Sequence, residues 1–234
     1  FTGYNFQEIK QYKNMFENAF SDNHLIIFGV NTIDDRQIKN QVFNSLVIVN
    51  NKLDVLFEYD KIKLVPFGEF LPFENILKKI GLKKITEGHT SFTKGKKTNI
   101  FIMNELKLLS LICYEVIFPE LSLGQKQKNL IVNITEDAWF GETIGPSQHL
   151  AKAIFRSLEN NVFLIRSANK GFSVFIDNKG IVKKILNPTE IGVIELNVPF
   201  INSVEKKYRI DLIFFILLLT CVFFCLIFNK NEKK

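Results

Sequence analysis

Short apolar runs recur along most of the chain, and their length and flanking turn signals predict β-strands rather than helices. The runs cover His24–Val30, Phe43–Asn50, Val55–Tyr59, Asn99–Met103, Lys107–Cys113, Leu130–Ile134, Val162–Ser167, Ser173–Asp177, Val182–Ile185 and Val193–Asn197. Helical periodicity is confined to Asn5–Phe20, Glu74–Ile80, Pro119–Lys126 and Pro146–Asn160. In the last of these, Pro146 falls near the first turn, where its missing N–H is harmless, and Leu150, Ala153, Ile154 and Leu158 share a face. Asn50-Asn51 and Asn178-Lys179-Gly180 are turn signals that predict two antiparallel hairpins. Strands interleaved with helices and followed by hairpins predict an α/β fold whose helices pack outside the sheets.

The pattern changes at the C-terminus. Leu212–Phe228 is a stretch of about 17 residues without a charge, apolar on every face, and predicts one transmembrane helix over 210–229. A globular domain over 1–204 precedes it, and a short basic tail over 230–234 follows. Lys206, Lys207 and Arg209 before the helix nearly balance Lys230, Lys233 and Lys234 after it, so local charge does not set its orientation. The start resembles no signal peptide, and Phe1 in place of Met suggests the C-terminal part of a longer membrane protein.

Composition narrows the function classes. With 234 residues and 47% hydrophobic content, one well-buried domain is expected, and 24 phenylalanines suggest a dense core. The net charge of +6 comes from lysines spread along the chain, with small clusters at Lys78–Lys79, Lys83–Lys84 and Lys94–Lys97. No nucleic-acid-binding pattern accompanies them, so no nucleic-acid partner is expected. Cys113, Cys221 and Cys225 make no disulfide framework, and His24, His89 and His149 lack ligand spacing. Neither a metal nor a cofactor is expected.

Four segments carry candidate chemistry. Leu109-Ser110-Leu111-Ile112-Cys113-Tyr114-Glu115 places a thiol and a carboxylate at a strand end, where an α/β scaffold commonly presents reactive groups. Lys61 and Glu69 enter a loop shaped by Pro66, Gly68 and Pro72; an ammonium near Cys113 would favour the thiolate and then steady an oxyanion. Asp137-Ala138-Trp139-Phe140-Gly141 puts the only tryptophan in a polar loop, as a pocket wall or a core cap. Gly145-Pro146-Ser147-Gln148-His149-Leu150 starts the long helix, where caps and packing contacts are more to be expected than a catalytic base at His149.

Together these segments resemble the carbon–nitrogen hydrolase (nitrilase) superfamily and, within it, the apolipoprotein N-acyltransferases. The resemblance runs through Lys61, Leu64-Val65-Pro66-Phe67-Gly68-Glu69, Cys113-Tyr114-Glu115, Asp137-Ala138-Trp139-Phe140-Gly141, Gly145-Pro146 and Gln148-His149-Leu150. It continues through Arg156, Arg166, Asn169 and Gly171, and covers Tyr59 to Leu196.

The resemblance implies an αββα nitrilase-like sandwich followed by one transmembrane helix, held at the bacterial inner membrane with the catalytic domain facing the periplasm. It implies a Glu–Lys–Cys triad with Cys113 as nucleophile and Lys61 as the lysine, and Glu69 and Glu115 as further acidic residues of the site. Tyr114, Trp139, Phe140 and Gly141 fall on substrate-binding positions. The implied reaction is ping-pong: a phospholipid donates its acyl group to the thiol, and the diacylglyceryl-cysteine of an apolipoprotein accepts it. The enzyme is expected to be a monomer.

Two departures stand out. The triad glutamate of the family lies in a Trp-Pro-Glu type motif ahead of the region matching Phe1, and Glu8 and Glu17 sit in an ordinary helical pattern. An isolated piece beginning at Phe1 is therefore expected to be inactive. Thr135-Glu136-Asp137 stands where the family usually has Asn before the Asp, which alters the pocket wall. A membrane-tethered amidase of the same superfamily, or an inactive anchored domain, is the competing reading.

Overall fold

The computed structural model describes residues 5–34, 41–73, 91–96, 98–123, 127–203 and 210–231. The chain divides into two compact units, Phe1–Ser203 and Val204–Lys234. The first holds two sheets. Strands β1 (Ile26–Asp34), β2 (Gln41–Val49) and β3 (Val55–Asp60) form an antiparallel sheet in that order. Strands β4 (Ile100–Met103), β5 (Leu106–Ile112), β6 (Leu130–Glu136), β7 (Phe163–Asn169), β8 (Ser173–Ile176) and β9 (Val182–Leu186) form the other, again in chain order. Within it β5, β6 and β7 run parallel, and their neighbours pair antiparallel.

The alternation along each strand sorts its side chains into layers. Leu46 and Ile48 of β2 and Tyr59 of β3 join Leu108 and Ile112 of β5, Leu130, Val132 and Ile134 of β6 and Phe163 of β7 in one cluster, which is the interface between the sheets. The opposite faces are Val47 and Val49 in the small sheet and Leu109, Leu111, Ile131 and Leu164 in the large one. The small sheet's outer face is covered by Phe6, Ile9 and Phe16 from α1 (Phe6–Ile9) and α2 (Lys13–Ala19), which a short 3₁₀ turn joins. The large sheet's outer face takes Leu121 of α3 (Glu120–Leu123) and Leu150, Ala153 and Ile154 of α4 (Gly145–Asn160). Four layers, helix–sheet–sheet–helix, follow from that sorting.

The two expected hairpins are present, β2–β3 and β8–β9. In the first, Asn50 Oδ1 accepts from Lys52 and Asp54 N–H, and Leu53 carries the positive φ. In the second, Gly180 takes φ 76°, a conformation suited to glycine. The expected strand at Val193–Asn197 does not form: residues 191–200 have no regular structure, and Leu196 and Val198 only pack their side chains against the inter-sheet core. The expected helix at Glu74–Ile80 lies outside the described residues.

The second unit contains α5 (Ile210–Asn231), a single helix. Its described side chains, from Phe214 to Phe224, are exposed throughout. Among the described residues, no helix is long and apolar enough to cross a membrane.

Candidate active site

Cys113 sits where β5 ends and a 3₁₀ turn, Cys113–Ile117, begins. Its φ is 50°, in the left-handed region. Such a backbone costs a residue with a Cβ about 1–2 kcal/mol, so neighbours must hold it. The half-buried thiol lies 3.9 Å from the Glu136 carbonyl oxygen.

Glu115, two residues on, is fully buried and accepts four hydrogen bonds. Its Oε1 takes the Tyr59 hydroxyl at 2.8 Å and the N–H groups of Ile62 and Lys63 at 2.7 and 3.0 Å; Oε2 takes Ile112 N–H at 2.9 Å. The turn after β5 and the segment leaving β3 are thereby locked together, which brings the Lys61 segment beside the cysteine turn. Burial pushes the Glu115 carboxyl up, against the pull of the backbone N–H donors, Lys61 and Tyr59. Burial likewise raises the Tyr59 phenol, assisted by the Glu115 charge.

Lys61 is 1% exposed and its Nζ donates to Glu69 Oε1 at 2.8 Å. The same oxygen accepts from Asn44 Nδ2 at 2.8 Å, and Glu69 Oε2 accepts from Val65 N–H at 2.8 Å. The loop folds back on itself to place that carboxylate: Glu69 N–H donates to the Val65 carbonyl, Phe67 N–H donates to the Phe70 carbonyl, and Phe67 adopts φ 61°. The backbone of Lys61 is fixed as well, by Asn44 and Gly95. A buried ammonium is tolerable only with such a partner.

A second buried charge network reaches the main chain of Cys113. Asp137 Oδ2 receives Arg166 Nη2 at 2.7 Å, and Asp137 Oδ1 lies 2.9 Å from His149 Nδ1 and accepts the Thr135 hydroxyl at 2.8 Å. Arg166 Nη1 also donates to Asn133 Oδ1, and Asn133 Nδ2 donates to the Leu111 carbonyl at 3.1 Å. Burial alone would raise the Asp137 carboxyl; the His149 hydrogen bond and the Arg166 and His149 charges reverse that and hold it below the usual carboxylate range. Burial pulls the Arg166 guanidinium down, and Asp137 opposes the shift. At Gly171 an added Cβ would strike Asp137, whose own Cβ would be 2.7 Å away.

The expected pocket residues divide. Trp139 and Phe140 lie in a 3₁₀ turn, Ala138–Phe140, closed by Gly141 at φ 55°. Trp139 is 60% exposed and Ile144 69%, so Trp139 caps no core, whereas the Phe140 ring stands edge-on to His149 with centroids 5.6 Å apart. Gly145 is required there, since a Cβ would lie 2.5 Å from the Phe140 ring. Tyr114 packs edge-on to Phe118 at 5.1 Å, and Lys63 Nζ lies 4.9 Å over the Phe118 ring. His149 does not present a nitrogen to the thiol: its Nε2 meets the Cys113 carbonyl at 3.2 Å, and its Nδ1 meets Asp137. Among the described residues no group of His, Cys, Asp and Glu side chains could hold a metal ion.

The Carbon-nitrogen hydrolase family model matches residues 11–205. The chain belongs to the carbon–nitrogen hydrolase family. Among curated relatives, this carbon–nitrogen hydrolase chain is 39% identical over 179 residues to the apolipoprotein N-acyltransferase of Allorhizobium ampelinum, covering 75% of the chain and 34% of that protein. It is 39% identical over 161 residues to the apolipoprotein N-acyltransferase of Rhodopseudomonas palustris, covering 68% and 30%. That of Brucella melitensis is 38% identical over 159 residues, covering 67% and 30%. The chain thus spans about a third of the length of these relatives. Among solved structures, the E41Q mutant of the amidase from Nesterenkonia sp. AN1, with acrylamide added at its active-site cysteine, superposes with a TM-score of 0.56. That match covers 90% of this chain and 80% of the amidase at 18% identity, and shows the shared fold.

Proposed function

We propose that the protein is an N-acyltransferase that moves a fatty acyl chain from a phospholipid to the N-terminal diacylglyceryl-cysteine of an apolipoprotein, with Cys113 as its nucleophile. The observation that carries this reading is the juxtaposition at the end of β5: a cysteine held at φ 50° beside a segment whose lysine, Lys61, is buried against Glu69. The naming of the curated relatives as apolipoprotein N-acyltransferases supports the choice of substrates.

In the first half-reaction the Cys113 thiolate attacks the ester carbonyl of the donor. The C–O bond breaks, the proton given up by the thiol ends on the departing glycerol oxygen, and a thioester and a lysophospholipid result. The Lys61 ammonium, fixed by Glu69, stabilises the negative charge of the tetrahedral intermediate together with backbone N–H groups near the cysteine. In the second half-reaction the acceptor's α-amine attacks the thioester, the C–S bond breaks, and the amine's proton returns the thiol. Glu115 keeps the lysine segment and the cysteine turn in register through both steps. The exposed Trp139, with Phe140 and Gly141 in the same turn and Tyr114 next to the thiol, lines the acyl path. The uncharged run Leu212–Phe228 associates with the bilayer of the inner membrane and tethers the catalytic domain, on the periplasmic side, near both anchored substrates.

The test is acylation of the protein, expressed as its cells make it, by phospholipid labelled in the acyl chain. A label removed by neutral hydroxylamine and missing from Cys113→Ala is expected. Label that persists on Cys113→Ala overturns the nucleophile assignment, and release of ammonia from a small amide without acyl transfer overturns the donor and acceptor in favour of an amidase.

A further inference from the structure

We propose that His149 is a positioning residue for the nucleophile, acting through the main chain of Cys113 rather than as a base. The Cys113 carbonyl receives His149 Nε2 at 3.2 Å and Asn133 Nδ2 at 3.5 Å. A carbonyl only accepts, so Nε2 carries a hydrogen whether the ring is neutral or charged. Its remaining nitrogen lies 2.9 Å from both Asp137 Oδ1 and Arg166 Nη2, which fix the ring plane from the far side. The Phe140 ring packs on a third edge. Asn133 is set by the same cation: Arg166 occupies its amide oxygen and so turns its NH₂ group towards the carbonyls of Leu111 and Cys113. The polar side chains of this relay, Asn133, Asp137, His149 and Arg166, are all buried, on three elements: β6 and the turn that ends it, the start of α4, and β7.

The consequence is specific to the left-handed residue. With φ at 50° Cys113 leaves the β5 ladder and opens the 3₁₀ turn, and beside the bonding of that turn its carbonyl takes two side-chain donors. Two donors from a rigid relay hold it, and the direction of the Cα–Cβ bond, hence of Sγ, follows from that backbone. Loss of the His149 donor lets the peptide after Cys113 rotate and moves the thiol away from the geometry in which the lysine segment can act on it. This inference rests on Cys113 being a nucleophile and is independent of the identity of donor and acceptor.

The test is the rate of alkylation of Cys113 by iodoacetamide, followed from pH 6 to 9 by mass spectrometry of its peptide, with N-acetylcysteine in the same tube as standard. Wild type should react at Cys113 faster than the standard at neutral pH. His149→Ala should slow it by about tenfold or more, since small misplacement of a reacting group has costs of that order, and should shift the pH profile towards that of the standard. His149→Gln, which keeps an N–H donor near the Nε2 position, should recover most of the rate. His149→Leu keeps the volume without the donor and replaces the Ala variant if that one does not fold; it should be as slow. A folded Ala or Leu variant that alkylates at the wild-type rate with the wild-type pH profile overturns the proposal, as does a Gln variant no faster than Leu. Wild-type Cys113 reacting no faster than N-acetylcysteine overturns instead the nucleophile reading beneath it.

Discussion

Tyr59 and Glu115 stand 56 residues apart in the chain, yet the Tyr59 hydroxyl donates to Glu115 Oε1 at 2.8 Å with both side chains shielded from solvent. One belongs to β3 of the three-stranded sheet and the other to the turn leaving β5 of the six-stranded sheet, so a polar contact ties the sheets together at the candidate site. Removing either partner leaves a buried polar group unpaired, at about 1–3 kcal/mol. Tyr59→Phe and Glu115→Gln are each expected to lower the urea midpoint. In the double variant the losses should be less than additive, with a coupling of about 0.5–3 kcal/mol. Strictly additive losses would show that the pair does not interact in solution.

Gly171 faces Asp137 with no room for a side chain. Gly171→Ala must push the Asp137 carboxylate away from Arg166 and His149, and through them disturb the Cys113 carbonyl. The expected outcome is a loss of about 1–3 kcal/mol together with slower Cys113 alkylation. Unchanged alkylation in a destabilised variant would separate packing at Gly171 from the thiol.

The apolar runs made most of this fold legible, because a strand buried on both faces reads as a near-continuous apolar segment. The β5 run from Leu106 to Ile112 divides cleanly, Leu108 and Ile112 inward and Leu109 and Leu111 outward. The signal misleads at Val193–Asn197, where Val193 is exposed, Leu196 packs its side chain on the inter-sheet core, and no strand forms. In the site, Cys113 stands out as a thiol at a strand end, and Lys61 and Glu69 as charges inside an apolar loop. The Asp137–Arg166–His149 relay is not legible as a unit, since its contacts join β7, α4 and the loop after β6 and span up to 29 residues. The available signal is local: Asn133 and Arg166 interrupt otherwise apolar runs in central parallel strands, where a polar side chain must find a buried partner.

Asp137 sets an acid limit on stability. Its carboxyl titrates below the ordinary carboxylate value of about 3.9 in the folded protein, so the unfolded chain takes up the proton first as pH falls. The contribution is therefore fully present above that ordinary value and is lost as pH drops through it towards the lowered folded value. Urea midpoints measured from pH 6 down to the acid transition should fall more steeply in wild type than in Asp137→Asn, which starts lower because Arg166 is left unpaired. Parallel curves would mean that Asp137 does not hold its charge against Arg166.

The Lys61–Glu69 pair separates stability from catalysis. Lys61→Met leaves Glu69 buried with Asn44 and Val65 as donors, and Glu69→Leu leaves Lys61 at 1% exposure without its hydrogen-bonded counter-charge. Each single change should cost about 3–5 kcal/mol, whereas Lys61→Met with Glu69→Leu removes both charges and should recover much of the loss. Acylation should be abolished in all three, because the ammonium that stabilises the tetrahedral intermediate or its fixed position is gone. Chemical denaturation and phospholipid acylation on the same preparations distinguish the two effects. Restored stability without restored acylation is the expected result, and acylation by the double variant would remove Lys61 from the mechanism.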